Sequence, residues 1–477
     1  MADLDPALQD SIDNLQTRHT ALVDAVRNYT GGSIAGATND LLAARDDVLT
    51  TVDKRETALL GLIQRDTDKP VPSLLSDFKT QTYMLGTRRL EHGVSVDDMF
   101  TAERSSPKFV PGPQGTLVEV PPDTVAYHYD PETGEALGAL IEGGATNLLP
   151  YSIDFTTWTL FSATVDSSGQ ASPDGLGEAT LYTISASSGG FFESIAVPTS
   201  SSSYVISYFV KKTDVTARLQ IRDSSESGNT ATSEINATTG EVVFIGDYGT
   251  YSNARADVKD CGDFWRVYLS ATIGQSTNIR AYVYAGGASG TGVTVWGAQL
   301  EEGTTPTSYI PTDGAPVTRG ADRVLRMVNS ELNPSSWSLL VELNPEWANS
   351  GDKVFYYQSS GIKLEILARG NTNTGFQFRL GSSSNGDLVN SPVDAIYGTK
   401  NRVAVSASAN GDGTYTLIIS SGGQSRSVQC PDDLQSPGNK TLAIGSNSFF
   451  LQIVASYSNV QLFPRALSAA ELEALTA

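Results

Sequence analysis

Residues 203–212 read Ser-Tyr-Val-Ile-Ser-Tyr-Phe-Val-Lys-Lys, a run rich in β-branched and aromatic residues. Alternation of inward-facing and outward-facing side chains over such a run predicts a β-strand. Further strand patterns follow, separated by Gly, Ser, Asn and Asp, at 217–223, 241–245, 265–270, 279–285 and 293–300. Short strands at regular spacing with this punctuation predict a β-sandwich over residues 146–323.

A second set of strand patterns predicts another sandwich over residues 324–477. Its strands are expected at 336–343, 353–358, 362–368, 375–380, 402–409, 414–420 and 426–429. Asn410-Gly411-Asp412-Gly413 lies between two of them and predicts a tight hairpin turn. Near the end of the sequence, Ser468 and Glu471 have the spacing of a capping box, which predicts a short terminal helix.

Residues 1–70 have a helical pattern instead. Apolar residues recur every three or four positions, as in a heptad seam, and Gly31-Gly32 interrupts the pattern. The predicted seam consists of Ile12, Leu15, Leu22, Val26, Leu49, Val52, Leu59 and Ile63. His19 also falls on the seam, where a packing role is favoured over a metal ligand. A narrow apolar stripe needs partner helices. Either a two-helix hairpin packed on the rest of the chain or a parallel homo-oligomeric bundle would supply them; we favour the bundle.

The composition excludes several functional classes. Lys and Arg number 32 against 53 Asp and Glu, a net charge of −21 in 477 residues. Such an acidic surface repels phosphate backbones and anionic lipid, so neither nucleic acid nor membrane is expected as a partner. Three histidines and two cysteines argue against a histidine metal site or a Cys–His dyad. Cys261 and Cys430 are expected to be buried free thiols. No metal or cofactor is predicted.

The N-terminal sequence, Met-Ala-Asp-Leu-Asp-Pro-Ala-Leu, lacks the charged and apolar regions of a secretory signal. No apolar run approaches the length of a membrane span. We therefore expect synthesis in a cytoplasm, followed by release through a route other than secretion.

Residues 71–145 are rich in proline and are predicted to be a connector. Short helical patterns occur at 74–78 and 96–100. Asp130-Pro131-Glu132-Thr133-Gly134 is a turn signal, and a short strand is expected over 135–142.

Two motifs bracket the first predicted sandwich. The leading one runs Tyr-His-Tyr-Asp-Pro-Glu-Thr-Gly-Glu at 127–135, Gly-Ala-Leu-Ile-Glu at 138–142 and Thr-Asn-Leu-Leu-Pro-Tyr-Ser at 146–152, and is completed by Asp154, Phe155 and Trp158. The closing one runs Val-Trp-Gly-Ala-Gln-Leu-Glu-Glu-Gly at 295–303 and Thr-Ser-Tyr-Ile-Pro-Thr at 307–312. Together they resemble a module common in phage tail-fibre and other virion appendage proteins, over residues 104–323.

The resemblance implies more about fold and ligand. The bracketing motifs are similar to those of a jelly-roll found in certain carbohydrate-binding modules, in which the first and last strands pair. The run Val-Gln-Leu-Phe-Pro-Arg-Ala-Leu-Ser at 460–468 resembles the end of concanavalin-A/laminin-G-like sandwiches. Those sandwiches commonly bind glycans, sometimes through calcium, but no convincing cluster of oxygen ligands is present here.

Candidate sugar contacts are aromatic residues in loops and strands. Tyr248 and Tyr251 lie in a glycine-flanked segment, while Trp158, Trp265 and Trp296 fit core packing better than sugar stacking. In the second sandwich the candidates are Trp347, Tyr356, Tyr357, Arg369 and Asn373.

The sequence thus predicts a mainly β protein with an α-helical N-terminal arm and two tandem β-sandwich (jelly-roll) domains. The implied function is a bacteriophage tail fibre or spike, a homotrimer that docks to other virion proteins through its arm and binds host-surface polysaccharide. It would be made in the host cytoplasm and assembled into the virion. Two alternatives stay open. One is a ligand-free fibre, collar or head-decoration protein. The other is a polysaccharide-degrading enzyme, although no motif singles out the carboxylate pair that a glycosidase needs.

Overall fold

The computed structural model describes most of the chain after the predicted arm. The described residues are 70, 72–85, 88–89, 96–130, 133–213, 215–327, 336–347, 353–359, 362–368, 375–381, 387–396, 398–430, 441–445 and 454–477. The helical arm and all eight seam residues lie outside them, so the predicted bundle stays a prediction.

Among the described residues, eight strands and one short helix precede residue 145. They are β1 (Leu74–Asp77), β2 (Thr82–Leu85), β3 (Arg88–Arg89), α1 (Val96–Met99), β4 (Thr101–Glu103), β5 (Lys108–Pro111), β6 (Leu117–Val120), β7 (Tyr127–Tyr129) and β8 (Ala136–Ile141).

The middle of the chain forms fourteen strands and one 3₁₀ turn at Phe155–Thr157. The strands are β9 (Ala145–Asn147), β10 (Thr159–Phe161), β11 (Ala163–Ala171), β12 (Glu178–Ile184), β13 (Ser188–Ala196), β14 (Ser203–Lys211), β15 (Thr216–Asp223), β16 (Thr230–Asn236), β17 (Val242–Tyr248), β18 (Ser252–Cys261), β19 (Phe264–Thr272), β20 (Asn278–Gly286), β21 (Gly292–Glu302) and β22 (Val317–Arg319).

The part of the chain described after residue 322 contains eleven strands and a helix. They are β23 (Arg323–Met327), β24 (Ser336–Trp347), β25 (Lys353–Ser359), β26 (Ile362–Ala368), β27 (Phe376–Gly381), β28 (Asp387–Asn390), β29 (Asn401–Ala409), β30 (Tyr415–Ser421), β31 (Gln424–Cys430), β32 (Thr441–Ile444), β33 (Val454–Phe463) and α2 (Ala469–Thr476).

Two antiparallel six-stranded sheets make the middle sandwich. The front sheet has the order β10-β13-β20-β15-β16-β17, and the back sheet β11-β12-β21-β14-β19-β18. Buried side chains of both sheets share one core; Leu219 and Val283 of the front sheet pack there with Ile206 and Leu269 of the back sheet. The first strand pairs with the last, Asn147 opposite Val317, as the resemblance implied. The predicted mainly β, sandwich-like fold is confirmed for the described residues.

The second sandwich takes in strands from residues 71–145, the predicted connector. Its larger sheet has the order β3-β2-β1-β33-β24-β29-β30-β31, and β8 also pairs with β33. The facing sheet has the order β28-β27-β26-β25-β32-β23-β4. Residues 71–145 therefore supply strands to both sheets of the second sandwich, and do not merely connect the arm to the middle sandwich. Gly138 of the leading motif allows this, because a Cβ atom there would lie 2.0 Å from the carbonyl oxygen of Tyr457 on β33.

Of the two short helices predicted within residues 71–145, one is present and the other is not. The helix predicted near residues 96–100 is present as α1. The helix predicted at 74–78 is wrong, since Leu74–Asp77 is a strand that pairs with both β2 and β33. Leu74 and Phe78 are fully buried in the core of the second sandwich, so tertiary pairing overrides the local pattern there.

The two motifs that bracket the middle sandwich hold its chain ends together. The Asn147 side chain is fully buried. Its Nδ2 donates to the carbonyl oxygens of Ala298 (3.2 Å) and Ile310 (2.9 Å). Its Oδ1 accepts from the backbone N–H groups of Leu149 (3.2 Å) and Leu300 (3.0 Å). One amide thus uses its complete hydrogen-bonding capacity to join the two motifs.

A buried charge cluster lies beside these motifs and consists of Arg104, Lys108, Glu142, Arg319 and Asp322. The fully buried Lys108 Nζ lies 2.6 Å from Asp322, 2.9 Å from Glu142 and 2.7 Å from the Leu140 carbonyl oxygen. Arg104 lies 2.8 Å from the second oxygen of Asp322. Burial favours a raised pKa for Glu142, but Lys108, Arg319 and the Ser308 hydroxyl outweigh it and hold the pKa well below its ordinary value.

The short helix predicted after residue 468 is confirmed. The Ser468 hydroxyl caps α2 by accepting from the Glu471 N–H, and the Glu471 carboxylate accepts from the Ser468 N–H at 2.8 Å, which completes the capping box. The helix buries Leu472 against Leu340 and Phe463 on the outside of the larger sheet. Both predicted free cysteines, Cys261 and Cys430, are buried. Among the described residues, no helix is long and apolar enough to cross a membrane.

We predict that Lys108→Met destabilises the protein by about 3–5 kcal/mol, because it leaves Glu142 without its closest buried cation. The matched control is Lys400→Met. Lys400 is largely exposed and pairs with Glu342 at 3.2 Å, so its loss should cost less than about 1 kcal/mol. Denaturant unfolding followed by tryptophan fluorescence measures both. Equal midpoints for the two variants would contradict a stabilising role for the charge cluster.

Candidate functional site

The outer face of the front sheet carries the side chains that alternate with the core. On β15, Ala217, Leu219 and Ile221 are buried, while Arg218 and the other intervening residues are half-buried on the opposite face. The same alternation holds on β16, and on β20 except at Tyr282, which is buried among its neighbours on the outer face. A strand turns successive side chains to opposite faces, so this face is set by the same period that builds the core.

The strand register arranges these residues in three rows across the sheet. The first row is Phe161, Gly190, Tyr284, Arg218, Glu234 and Phe244; the second is Thr159, Phe192, Tyr282, Gln220, Thr232 and Gly246; the third is Ser194, Arg280, Arg222, Thr230 and Tyr248. We call this surface the aromatic face.

Four rings form a cluster at one side of the aromatic face. The centroids of Phe192 and Tyr282 lie 5.0 Å apart with their planes tilted by 31°. Phe161 lies 5.9 Å from Tyr282 and 5.8 Å from Tyr284. Tyr282 is central and only 8% exposed, whereas its three neighbours are half-buried and keep part of each ring open to solvent.

Two more rings lie on the edge strand β17. Phe244 is 41% exposed and Tyr248 is 51% exposed. Both rings lie over Gly246, where a Cβ atom would meet the Phe244 ring at 2.9 Å and the Tyr248 hydroxyl at 3.1 Å. The glycine thus lets the two rings approach each other across its backbone.

Polar and charged groups separate the two ring sets. Arg218 lies 2.9 Å from Glu234 in the first row. The Arg280 guanidinium carbon lies 5.3 Å from the centroid of Phe192, a cation–π distance. Burial raises the pKa of Tyr284, so its hydroxyl stays protonated at neutral pH. The face therefore combines flat apolar rings with hydrogen-bond donors.

A polar cleft of about 470 Å³ continues from the third row at the end of the sandwich. Three turns line it, those between β15 and β16, β17 and β18, and β19 and β20. The lining residues are Asp223, Ser224, Ser225, Glu226, Asn229, Thr250, Gln275, Ser276, Thr277 and Asn278. A cleft of this size falls within the usual range for small-ligand sites.

Hydrogen bonds between side chains hold these three turns together. The Tyr251 hydroxyl donates to Ser276 Oγ at 3.2 Å, and that hydroxyl in turn donates to Asp223. Asp223 also accepts from the backbone N–H groups of Ser225 (2.7 Å) and Glu226 (3.0 Å). Burial alone would raise the pKa of Asp223, but these donors outweigh it and lower the pKa to about 2.

The two tyrosines predicted in the middle sandwich lie in different surroundings. Tyr248 lies on the aromatic face. Tyr251 is instead buried, 4% exposed, and its hydroxyl is used within the protein. Burial raises the pKa of Tyr251 to about 12. Its role in this structure is to brace the cleft, because its ring is not accessible for stacking.

The other predicted residues are only partly described. Trp347 ends β24, and Tyr356 and Tyr357 lie on β25. Arg369 and Asn373 lie outside the described residues.

The packing role predicted for three tryptophans is confirmed. Trp158 lies 5.1 Å from Phe155, and Trp296 lies 4.5 Å from Tyr309. Trp265 donates to the Ala237 carbonyl oxygen at 2.9 Å, with Lys212 over its ring.

Sequence reasoning recognised three strands of the aromatic face, β15, β17 and β20, but not β10, β13 or β16, and it missed most of the residues of the face. The signal was present at 278–286, Asn-Ile-Arg-Ala-Tyr-Val-Tyr-Ala-Gly, where Arg280, Tyr282 and Tyr284 alternate with small aliphatic residues. Which side faces the core becomes clear only once the register with β13 and β15 is known.

No model of a known protein family matches this chain, and no curated protein sequence matches it significantly. Solved structures similar to it include carbohydrate-binding modules and a phage tail fibre. Domain 4 of an extracellular GH43 arabinanase from Geobacillus stearothermophilus, in complex with arabinotriose, is 16% identical, with a TM-score of 0.27 over 37% of this chain and 83% of its own.

Two further solved structures are similar at the same low level. The Ruminococcus gnavus sialidase CBM40, bound to α2,3-sialyllactose, is 14% identical, with a TM-score of 0.24 over 30% of this chain and 83% of its own. A tail fibre protein from a phage of E. coli is 6% identical, with a TM-score of 0.18 over 68% of this chain and 40% of its own. At these TM-scores the similarities carry no functional argument, and the ligands belong to those proteins alone.

We predict that Asp223→Asn lowers the melting temperature at neutral pH, because the amide offers one acceptor oxygen where the carboxylate offers two. The folded-state pKa of about 2 lies below the unfolded value near 4. The stabilisation is therefore present above about pH 4 and is lost as the pH falls towards about 2. The difference in melting temperature between wild type and variant should narrow over that interval.

The control for this prediction is Asp313→Asn at an exposed position. Calorimetry at pH 7, 4 and 2.5 measures all three proteins. A difference between wild type and Asp223→Asn that stays constant with pH would contradict the assigned role of Asp223.

Proposed function

We propose that this protein attaches to glycans through the aromatic face of its middle sandwich, as an appendage of a bacteriophage or phage-like particle. The observation that carries the glycan part is the set of part-exposed rings on one sheet face, interleaved with arginine, glutamine and threonine side chains. Contiguous exposed apolar patches are a common mark of binding surfaces.

The chemistry of the face suits a saccharide. A sugar ring offers apolar C–H groups that pack on an aromatic ring, and hydroxyls that need hydrogen-bonding partners around it. Phe192 and Tyr284 supply flat apolar surface with a polar edge nearby. Gln220 and Thr232 occupy the same row as Phe192 and can serve hydroxyls, as can the Ser, Thr and Asn side chains of the adjoining cleft.

The appendage part of the proposal rests on the bracketing motifs and on the predicted arm. Three copies joined by an N-terminal bundle would present several weak sites together, and linked sites bind with a high effective concentration. Other virion proteins would hold the arm, and host polysaccharide would be the outer partner. We propose a binding role without catalysis.

We predict that the double variant Phe192→Ala/Tyr284→Ala loses glycan binding by about tenfold or more per site, since two stacking surfaces are removed. The matched control is Tyr268→Ala, which truncates a half-buried tyrosine on β19 of the back sheet. The measurement is saturable binding of fluorescent full-length protein to candidate host cells, with purified host polysaccharide as competitor.

Two results would contradict this prediction. Equal binding by the double variant and the control would remove the aromatic face from the site. No binding of the wild-type protein to any host cell of the particle would favour the alternative of a ligand-free structural protein. Circular dichroism spectra of the double variant and of the control test whether each is folded.

We predict that the full-length protein sediments as a trimer, and that Leu22→Asp/Leu59→Asp shifts it to the monomer. A charged residue on the seam would have to lose its hydration in the bundle. Asp13→Ala/Asp47→Ala, between the seams, is the control and should stay trimeric. A wild-type protein that sediments as a monomer would overturn the bundle.

A further inference from the structure

Two arginines lie directly opposite each other on the aromatic face. In the register of β15 and β20, Arg222 pairs with Arg280. Both alternate with core residues, since Ile221 and Ile279 on the same strands are fully buried. Like charges directly opposite on antiparallel strands destabilise a sheet, so this pair is unfavourable in isolation. It occurs in a chain whose net charge is −21, where acidic residues outnumber basic ones.

The nearby carboxylates of the described chain are already engaged elsewhere. Glu234 lies 2.9 Å from Arg218, two rows away from the pair. Asp223 accepts from Ser225, Glu226 and Ser276, and Glu226 accepts from Asn229 at 3.0 Å. Within the described residues, Arg222 and Arg280 form no ion pair, and their Nε atoms are buried without a hydrogen-bond partner.

The surroundings of the pair indicate what would bind there. Arg280 lies against Phe192, whose ring is tilted by 31° towards Tyr282. A guanidinium group binds a carboxylate or a tetrahedral oxyanion through two parallel N–H···O bonds, and it is less strongly hydrated than an ammonium group. A ligand that bridges the arginines and the rings must therefore have an oxyanion attached to a compact ring with apolar C–H groups.

We propose that the aromatic face recognises an acidic glycan, with the Arg222–Arg280 pair holding the anionic group of a sugar that stacks on the neighbouring rings. This inference rests on the proposed function and specifies its ligand class. A carboxylate, as in a uronic or sialic acid, and a sulfate share the required chemistry. The anion removes the repulsion between the two arginines, so the unbound pair favours acidic over neutral saccharides.

The test uses the full-length protein on a glycan array that holds uronic-acid, sialylated and sulfated glycans beside their neutral counterparts. The carboxyl-reduced form of each uronic-acid glycan is the closest neutral match. We expect retention of acidic glycans, with affinity falling as salt is raised. Arg222→Gln and Arg280→Gln should each weaken that binding by about tenfold or more. Arg426→Gln, at an exposed position on β31, makes the same charge change and should leave binding unchanged.

The outcomes separate this inference from the proposed function. Binding of neutral glycans that Phe192→Ala/Tyr284→Ala abolishes and Arg222→Gln leaves intact would overturn the acidic ligand and keep the glycan-binding role. Binding of no glycan would overturn both. Binding of the carboxylated but not the sulfated glycans, or the reverse, supports the inference and identifies which anionic group the arginines bind.

Discussion

The two ion pairs of the buried Lys108 ammonium group are the interaction on which the arrangement of the described chain depends. Burial of a lysine is costly unless carboxylates and carbonyl groups replace its water. Glu142 and Asp322 do so here, at 2.9 and 2.6 Å. These carboxylates come from the end of β8 and the start of β23, the two positions where the chain enters and leaves the middle sandwich. One cation therefore fixes both crossings, and Glu142 extends the contact to Ser308 in the closing motif.

This arrangement separates the motifs from the candidate site. The motif residues that make the sequence familiar, among them Glu142 and Asn147, are buried and serve the junction. The aromatic face lies on the front sheet of the middle sandwich, and its residues belong to neither bracketing motif. A scaffold of this kind can keep its junction while the front-sheet side chains change, because those side chains contact one another and solvent more than the core. Sites built on rigid strands also hold their geometry better than sites on loops.

Local chemistry made much of the fold predictable. The capping box of Ser468 and Glu471 and the strand patterns depend on neighbours within a few residues, so the sequence displays them directly. Features that depend on distant pairing were not predictable. Leu74 becomes a strand residue only through its pairing with Leu462. The Arg222–Arg280 pair exists only in one register of two strands, and Tyr251 is buried because turns from other strands close over it. Tyr248, from the same glycine-flanked segment, lies on the exposed side, and its role as a sugar contact stays a prediction.

Strand β33 also determines when the second sandwich can finish folding during synthesis. It is the last strand of the described chain, yet β1 and β8, near the start of that chain, pair along one of its edges, while β24 pairs along the other. A ribosome releases β1 and β8 long before β33 exists, so both must wait with unpaired edges while the rest of the sandwich is made. Contacts of such long sequence separation slow folding and prolong the exposure of strand edges. The second sandwich is therefore completed only after β33 has been synthesised, and until then the edges of β1 and β8 that β33 covers are open to pairing with other strands.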